Sequence, residues 1–491
     1  MSIEALLETA ARAFGYHSGL SGEIPQVHLC STEYATKYPR IGLSIEILVS
    51  LCYIQQPEIR SAVHSNVKSR FKIFSDPVHG FISVPKGPVL DLIQTPEVQR
   101  LRRIRQLGIG YLVFPGAEHS RFGHALGAMA LMHNVLTSLS EKGTAISPEE
   151  HTAALAAALL HDIGHGPFSH TLEHELIDSF EHEFMSRVLI GRLNEQMDGA
   201  LSLALRMFDD DYERPFFYQL ISSQLDMDRL DYLRRDSYYT GVAEGRVGVD
   251  RIIKTLRVHP DNGTSDDQIV VEAKGVHAVE NFLIARRLMY WQVYLHKTIL
   301  AGDHLLRGII RRSRSHFVVG DFGPVEGTAP AFQFFLENTV TGAELENEDV
   351  VRNYCALDDS DILYSLKRWQ HSSDVLLSDL CRRMLNRDFF RVTFLDTGVG
   401  EEAQAQWREN VHSFLLDSGL SRDDSLETDT PYYLNFAESG HAAYERAENS
   451  IAVVQRDGNV VELSEATQMS AISGIASPER RPYMCYPKEL S

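Results

Sequence analysis

The residues of this chain whose types could do chemistry are concentrated in residues 161–170. These ten residues include His161, Asp162, His165 and His170. Imidazole and carboxylate groups act as acids and bases in catalysis, and they also coordinate metals. An imidazole beside a carboxylate suits Fe, Mn, Co, Ni or Zn better than calcium, which prefers oxygen ligands. The alternative interpretation is that the histidines cap a helix and the aspartate lies on the surface.

A helix is predicted immediately before this stretch. Residues 153–160 are almost wholly alanine and leucine, which favour helix and leave no polar face. Gly164 and Pro167 are expected to end that helix, since glycine suits a left-handed cap and proline cannot continue a helix. At a helix end, His161 and Asp162 are no longer forced to diverge as neighbours inside a helix are. The two side chains could therefore converge on one cation.

Further metal ligands are expected from two other helices, because a caged metal needs ligands from several directions. His124 lies one turn into a predicted helix that begins at Arg121, where a side chain is well held. Residues 226–236 carry four aspartates, and acids this dense are stable on a buried face only when a cation or basic groups meet them. Asp228 is the predicted fourth ligand. A lone histidine such as His124 could also have only a packing role.

Two other spacings indicate acid–base and nucleotide-binding groups. His170 and Glu173 would share one helix face, and a carboxylate that holds an imidazole fixes its tautomer for proton transfer. A surface patch of mixed charge is the alternative. Arg286, Tyr290 and Tyr294 follow one another at helical spacing, so they could form the floor of a nucleotide site. Simple packing would produce the same tyrosine pattern.

Composition restricts the class of protein. The chain has 491 residues, 44% hydrophobic and 23% charged, which is typical of a globular protein of more than one lobe. A formal charge of −20 argues against nucleic acid or an anionic membrane as the main partner, and an anionic substrate would need a locally basic pocket. Five scattered cysteines without paired spacing predict reduced thiols. With no apolar leader, we expect a cytoplasmic protein without a membrane partner.

The chain divides into four predicted regions. Residues 1–70 are expected to form a small helical extension, and residues 321–465 a partly helical C-terminal lobe. Three β-hairpins are predicted, at residues 71–84, 251–273 and 451–463, the last with Asp457 and Gly458 as its turn. Residues 466–491 are interpreted as a tail.

The ordered motifs of the chain resemble those of the HD-domain deoxynucleoside triphosphate (dNTP) triphosphohydrolases. The resemblance covers about residues 71–310. It rests on residues 76–80, 95–108, 114–117, 121–124, 161–170 and 228–236. It implies a mainly α-helical HD phosphohydrolase fold with a few small β-hairpins, a catalytic domain over residues 71–320 and a C-terminal α/β lobe.

The resemblance also implies an activity and the residues that perform it. Family members hydrolyse dNTPs to deoxynucleoside and tripolyphosphate, which controls deoxynucleotide pools. By position, His170 with Glu173 matches the catalytic pair, and His165 and His182 match supporting groups. A divalent ion (Fe, Mn, Zn or Ni) is expected on His124, His161, Asp162 and Asp228, with Mg on the substrate phosphates. Positions matching the substrate contacts are Gln106, Leu107, Arg121, Arg229, Tyr232, Asp236, Arg286, Tyr290 and Tyr294. Gln99 and Arg102 match a nucleotide effector site.

Four positions depart from the family pattern. Gly123 precedes His124 where glutamate is common, Arg229 stands where the vertebrate member has lysine, and Tyr290 replaces a histidine. Gln94 occupies the position of the aspartate that reads guanine at the vertebrate activator site. A carboxylate accepts from both guanine N1–H and N2–H, whereas an amide offers one acceptor and one donor group. GTP is therefore a poor match for an activator of this chain.

The resemblance leaves three functional hypotheses and an expected assembly. The first is a dNTP triphosphohydrolase, and the second is another HD-type nucleotide phosphohydrolase, such as a nucleoside monophosphate phosphatase. The third is a nucleotide-sensing or nucleic-acid-binding assembly in which hydrolysis is incidental. Family members form symmetric oligomers, so a homo-oligomer is expected, as a dimer, tetramer or hexamer.

Overall fold

The computed structural model describes residues 70–441, 444, 450–467 and 479–491, without the side chains of His170 and His441. The predicted helical extension of residues 1–70 thus lies outside the described residues, apart from Arg70. Residues Arg70–Ser491 form one compact unit. As predicted, its structure is mainly α-helical with a few small sheets.

Nineteen α-helices lie in the described part of the chain. Those of its first half are α1 (Pro88–Ile93), α2 (Pro96–Arg100), α3 (Arg121–Glu141), α4 (Pro148–Leu160), α5 (Glu173–Leu176), α6 (His182–Gln196), α7 (Ser202–Phe208), α8 (Phe216–Ile221), α9 (Met227–Thr240) and α10 (Val249–Thr255). Those of its second half are α11 (Val276–Met289), α12 (Lys297–Val319), α13 (Pro330–Glu337), α14 (Glu348–Ala356), α15 (Asp359–Trp369), α16 (Val375–Leu385), α17 (Glu401–Asp417), α18 (Leu426–Asp429) and α19 (Leu463–Ala466).

The strands of the described residues form four small sheets. They are β1 (Phe71–Asp76), β2 (Gly80–Pro85), β3 (Ile177–Asp178), β4 (Leu256–His259), β5 (Gln268–Glu272), β6 (Val340–Thr341), β7 (Arg391–Phe394), β8 (Asn435–His441), β9 (Ala452–Val454), β10 (Val460–Glu462) and β11 (Glu479–Tyr486). Strand orders are β1-β2, β10-β9-β5-β4, β7-β11-β8 and β3-β6.

The helix predicted before residue 161 is confirmed as α4, and it lies in the core. Residues 153–160 are all buried. Ser147 and Glu150 form a capping box at the helix start, so the first backbone N–H groups have partners. α4 packs against α3, and α3 packs against α9. The predicted metal ligands lie in or directly after these three helices.

Gly164 has a different role from the one that the sequence suggested. α4 ends at Leu160 with His161 in right-handed geometry, so no left-handed glycine closes it. A Cβ on Gly164 would instead lie 2.2 Å from the carbonyl oxygen of His182 and 2.4 Å from the backbone nitrogen of Ser186. Glycine is needed here because α6 passes directly against the loop after α4.

The hairpin predictions are confirmed at β1–β2 and β9–β10 and need one correction between them. The strand predicted from residue 251 begins only at Leu256, because residues Val249–Thr255 form α10. The paired strands are β4 and β5. The third hairpin adds to the same sheet, since β9 runs parallel to β5 with Val453 beside Val271.

Residues 479–486, interpreted from the sequence as part of a tail, form a central strand. β11 pairs antiparallel with both β7 and β8. Met484, Cys485 and Tyr486 are buried. Its partners β7 and β8 are distant in sequence, so its own pattern did not indicate a strand.

Two further features concern the cysteines and the helices of the described residues. Cys355, Cys381 and Cys485 are free thiols, as expected. Among the helices that the structure describes, none combines the length and apolarity needed to cross a membrane.

Candidate active site

Four predicted metal ligands converge at the ends of three helices. His124 lies in the first turn of α3, His161 and Asp162 directly follow α4, and Asp228 lies in the first turn of α9. Nε2 of His124 is 3.3 Å from Nε2 of His161 and 3.1 Å from Oδ1 of Asp228. Nε2 of His161 is 3.4 Å from Oδ1 of Asp162. One ligand atom from each of the four residues lies within 4.8 Å of the others.

The outer nitrogens of both histidines face acceptors, which fixes their tautomers. Nδ1 of His124 lies 2.7 Å from Oδ2 of Asp231, and Nδ1 of His161 lies 2.8 Å from the carbonyl oxygen of Ala158. A carboxylate and a carbonyl can only accept, so each Nδ1 carries a hydrogen. The two Nε2 lone pairs then point at each other and at two carboxylates. This set of two imidazole nitrogens and two carboxylates fits a divalent metal ion. A hydrogen bond from the other ring nitrogen to a carboxylate or carbonyl is also usual for metal-bound histidine.

The electrostatics of the cluster also favour positive charge. Burial alone would lower the pKa of His124, but Asp228 and Asp231 outweigh burial and raise the pKa to about 10. Burial would raise the pKa of Asp228, yet His124 and His161 lower it below its ordinary value. The raised pKa of His124 and the lowered pKa of Asp228 both mean that the cluster favours a bound cation, either a proton or a metal ion.

A carboxylate–histidine pair lies beside the cluster, on the loop of residues 162–170 and the start of α5. Nδ1 of His165 donates to Oε1 of Glu173 over 2.6 Å, and both residues are buried. The ring of His182 stacks on that of His165 with centroids 4.0 Å apart. Nε2 of His165 is 3.5 Å from Oδ1 of Asp162, so the pair adjoins the metal ligands.

The helix expected to join His170 and Glu173 is replaced by two short elements. Residues 169–171 form a single 3₁₀ turn, and α5 begins at Glu173. Leu172, with a φ of −107° and a ψ of −13°, separates the two elements. Glu173 contacts His165, and its Oε2 lies 3.8 Å from Nδ1 of His182. The side chain of His170 lies outside the described residues.

A cavity of about 540 Å³ is lined by His161, Asp162 and Asp228 and brings the predicted substrate contacts together. It contains all nine predicted substrate residues and two supporting histidines. They are Gln106, Leu107, Arg121, Arg229, Tyr232, Asp236, Arg286, Tyr290, Tyr294, His165 and His182. The volume is within the usual range of small-molecule sites.

The end of the cavity formed by α9 and α11 carries a hydrogen-bonded polar group. Tyr294 donates its hydroxyl to Oδ2 of Asp236 over 2.7 Å, and Nε2 of His119 lies 2.7 Å from Oδ1. Tyr290 and Tyr294 form a π-helical turn after α11, where the sequence predicted continued α-helix. Oε1 of Gln106 is buried, and no described residue donates a hydrogen bond to it. This acceptor is therefore available to a ligand.

The arginines of the cavity are held by neighbouring groups. Arg121 donates from Nη1 to Oδ2 of Asp162 and from Nη2 to Oγ of Ser169, both over 2.6 Å. Arg229 pairs with Asp226, the residue that caps α9. Arg286 also lines the cavity. Cationic groups are thus oriented toward the space beside the metal ligands.

The two predicted effector residues lie elsewhere, on the basic segment after α1. Arg102 donates to Oε1 of Gln99 over 2.9 Å, and its guanidinium lies 3.5 Å from the Phe122 ring centre. Neighbouring arginines are neutralised, since Arg103 pairs with Asp358 and Arg105 with Glu118. The segment is therefore less basic than its sequence suggested, and the effector assignment stays a prediction.

The sequence analysis assigned no role to three residues that support the site directly or through another residue. Asp231 holds His124 and also contacts His79, a residue interpreted only as part of a hairpin turn. Asp226, capping α9, belongs to the same acidic stretch as Asp228. The density of aspartates was the available signal. Packing decides that Asp228 lies among the predicted ligands while Asp231 contacts Nδ1 of His124.

Comparison with known proteins identifies the family. A model of the HD domain matches residues 121–235, and a model of the HD associated region matches residues 247–315. A phosphohydrolase structure from Bacteroides thetaiotaomicron superposes with a TM-score of 0.78 at 42% identity, covering 85% of this chain and 99% of that one. The chain belongs to the HD-domain phosphohydrolases. It is accordingly a hydrolase whose site fits a divalent metal ion.

Sequence relatives of this HD-domain phosphohydrolase support the same assignment. The uncharacterized protein YwfO of Bacillus subtilis is 35% identical over 439 residues, which cover 86% of this chain and 93% of that protein. The deoxynucleoside triphosphate triphosphohydrolase SAMHD1 of Danio rerio is 30% identical over 267 residues. That match covers 46% of this chain and 42% of SAMHD1, less than half of either protein.

Proposed function

We propose that this HD-domain phosphohydrolase splits dNTPs into deoxynucleoside and tripolyphosphate and thereby lowers deoxynucleotide levels. One observation carries the proposal: three of the four predicted metal ligands, three arginines and the polar group around Asp236 line one cavity. A triphosphate would contact more of this arginine-lined wall than a monophosphate. The relation to a protein named as a dNTP triphosphohydrolase supports the same substrate.

The chemistry at the α-phosphorus divides between a cation and this chain's own side chains. A divalent cation, when bound by His124, His161, Asp162 and Asp228, polarises a phosphoryl group and lowers the pKa of water. The Glu173 carboxylate orients His165 through Nδ1, which directs Nε2 toward Asp162. An imidazole so oriented can pass a proton to a leaving 5′ oxygen. His170 stays a candidate for the same task.

The triphosphate is assigned to the arginine side of the cavity. Arg121 bridges Asp162 and Ser169, so its position is fixed relative to the metal ligands. Arg229 and Arg286 add positive charge along the same wall. A fixed guanidinium stabilises the negative charge that develops on transferring phosphoryl oxygens, and Mg on the phosphates would reduce the remaining repulsion.

The deoxyribose is assigned to the end formed by Gln106, Leu107 and Asp236. Tyr294 keeps its hydrogen and donates it to Asp236, because burial and that carboxylate raise the pKa of Tyr294 well above its usual value. Asp236 and Gln106 Oε1 then offer acceptors to a 3′-hydroxyl. Leu107 lines the same cavity, where an apolar side chain would crowd a 2′-hydroxyl.

The products distinguish this proposal from the other hypotheses. The full chain is incubated with each dNTP, with deoxynucleoside monophosphates and with ribonucleotides, in the presence of iron or manganese. We expect tripolyphosphate and deoxynucleoside from dNTPs only. Inorganic phosphate from a monophosphate would support the nucleotide phosphatase instead, and no hydrolysis would favour a sensing or binding role.

The same material tests the effector and oligomer expectations. dNTPs are assayed singly and in pairs, because an effector site predicts that one nucleotide activates hydrolysis of another. The mass in solution is measured alongside by light scattering. A dimer, tetramer or hexamer is expected, and a monomer that remains active would contradict the assembly prediction.

A further inference from the structure

The start of α15 contacts two separate loops that line the cavity. We call residues 105–108 the sugar-side loop and residues 162–170 the catalytic loop. Asp359, the first residue of α15, is 2% exposed. Its Oδ2 accepts from the backbone N–H of Arg105 over 3.0 Å, and its Oδ1 accepts from the backbone N–H of Phe168 over 3.2 Å. One buried carboxylate therefore bridges both loops.

The catalytic-loop contact falls on strained backbone. Phe168 has a φ of 51°, a conformation that a non-glycine residue keeps only where its surroundings impose it. The next residue, Ser169, accepts from Arg121, which in turn donates to the metal ligand Asp162. A loosened Phe168 would consequently disturb a chain of contacts that reaches the metal centre.

The sugar-side contact falls directly before the residues assigned to the sugar. Arg105 precedes Gln106 and Leu107, which line the cavity. Gly108 closes the loop with a φ of 50°, and a Cβ there would lie 3.5 Å from the carbonyl oxygen of Phe168. The two loops are thus in contact, and Asp359 holds each of them by a backbone N–H.

Capping of α15 does not account for this carboxylate. The cap is Asp358, whose side chain accepts from the backbone N–H of Ser360 over 2.8 Å. Asp361 completes the capping box by accepting from the backbone N–H of Asp358. Asp359 contacts the loops instead, from a helix outside both segments matched by the family models, residues 121–235 and 247–315.

We propose that Asp359 is a positioning residue that holds the sugar-side loop and the catalytic loop in register. The role in catalysis rests on the proposed dNTP hydrolysis, whereas the role in ordering the loops does not. An ionised carboxylate has two acceptor oxygens and satisfies both N–H groups. In Asp359→Asn an NH₂ group replaces one oxygen and would face one of the two backbone N–H groups without accepting its hydrogen. One of the two loops would then lose its hydrogen bond to residue 359.

The test compares Asp359→Asn with Asp361→Asn, which removes the same charge from the same helix end but contacts neither loop. Burial raises the pKa of Asp359 to about 6, so measurements are made well above that value. We expect Asp359→Asn to speed amide exchange in both loops and to lower dNTP kcat/KM by about tenfold, the equivalent of one hydrogen bond. Metal content should stay unchanged, and Asp361→Asn should resemble wild type.

Unchanged exchange in either loop would overturn the proposal, as would equal loosening in Asp361→Asn. If Asp359→Asn fails to fold, Asp359→Glu decides, because it keeps the charge and displaces both oxygens; it must loosen the same two loops. If wild type hydrolyses no dNTP, the proposed function fails while the exchange measurements still test the positioning role.

Discussion

Asp231 and His124 are joined by a 2.7 Å contact between Oδ2 and Nδ1, and neither side chain is exposed. The same carboxylate accepts from Arg235 and contacts His79, so one buried group ties the β1–β2 hairpin and α9 to a metal ligand. Arg235 also donates to Asp76 of that hairpin over 2.8 Å. The orientation of His124 therefore depends on residues from two other parts of the chain, α9 and the β1–β2 hairpin.

We predict that Asp231→Asn weakens metal binding by about 10- to 100-fold, the usual effect of losing an outer-shell carboxylate. Competition with a chelator measures the affinity. Asp76→Asn is the matched control, since it removes the other carboxylate from Arg235 without touching His124. Equal metal affinity in the two variants would assign Asp231 to stability alone.

Removing a ligand itself should have a larger effect. We predict that His161→Ala and Asp228→Ala each abolish turnover and bound metal together, because each removes one of the four donor groups that converge on the site. Metal content is measured by mass spectrometry on the purified chain. His133→Ala, an exposed histidine of α3, should retain full metal. A fully active ligand variant would remove the site assignment.

Glu173 should affect turnover without affecting the metal. We predict that Glu173→Ala lowers kcat by about 10²- to 10⁴-fold, the range for lost acid–base assistance, because His165 loses the acceptor that orients its ring. Glu173→Gln, which keeps one acceptor oxygen, should recover part of the rate. Metal content is measured in parallel. Loss of metal would make Glu173 a support of the ligands instead.

The cluster of candidate metal ligands could be predicted from the sequence because the side-chain chemistry of its members is unusual for their positions. An adjacent His–Asp pair after an alanine-rich helix and a helix dense in aspartates each require a cation or a partner. The structure brings His161, Asp162 and Asp228 together with His124. The stripe of Arg286, Tyr290 and Tyr294 likewise lines the cavity, although its last turn is π-helical.

Local spacing could not supply the contacts that long-range packing decides. The i, i+3 spacing of His170 and Glu173 did not indicate that His165 also contacts Glu173, because that contact depends on the path of the loop after α4. The contacts of Asp359 with Arg105 and Phe168 join positions more than 190 residues apart, and no periodicity encodes them. β11 is similar, since its pairing with β7 and β8 is set by the rest of the fold.

A buried histidine outside the cavity makes the stability of the fold depend on pH. His304 of α12 is 8% exposed and packs 5.8 Å from the Phe390 ring. Burial, together with the charges of Arg311 and Arg307, lowers its pKa from 6.5 to about 4. The neutral form is therefore the one that the folded state accommodates.

The sign of the effect follows from this lowered pKa. Above about pH 6.5 His304 is neutral in both states and the full contribution to stability is present. As the pH falls from 6.5 through 4, the unfolded chain takes up a proton more readily, and about 3 kcal/mol of unfolding free energy is lost. We predict that His304→Gln, which cannot be protonated, loses less stability over this interval. Urea unfolding at several pH values measures the difference, with His371→Gln as an exposed-histidine control. Parallel pH profiles for wild type and His304→Gln would show that His304 is protonated equally in the folded and unfolded chain.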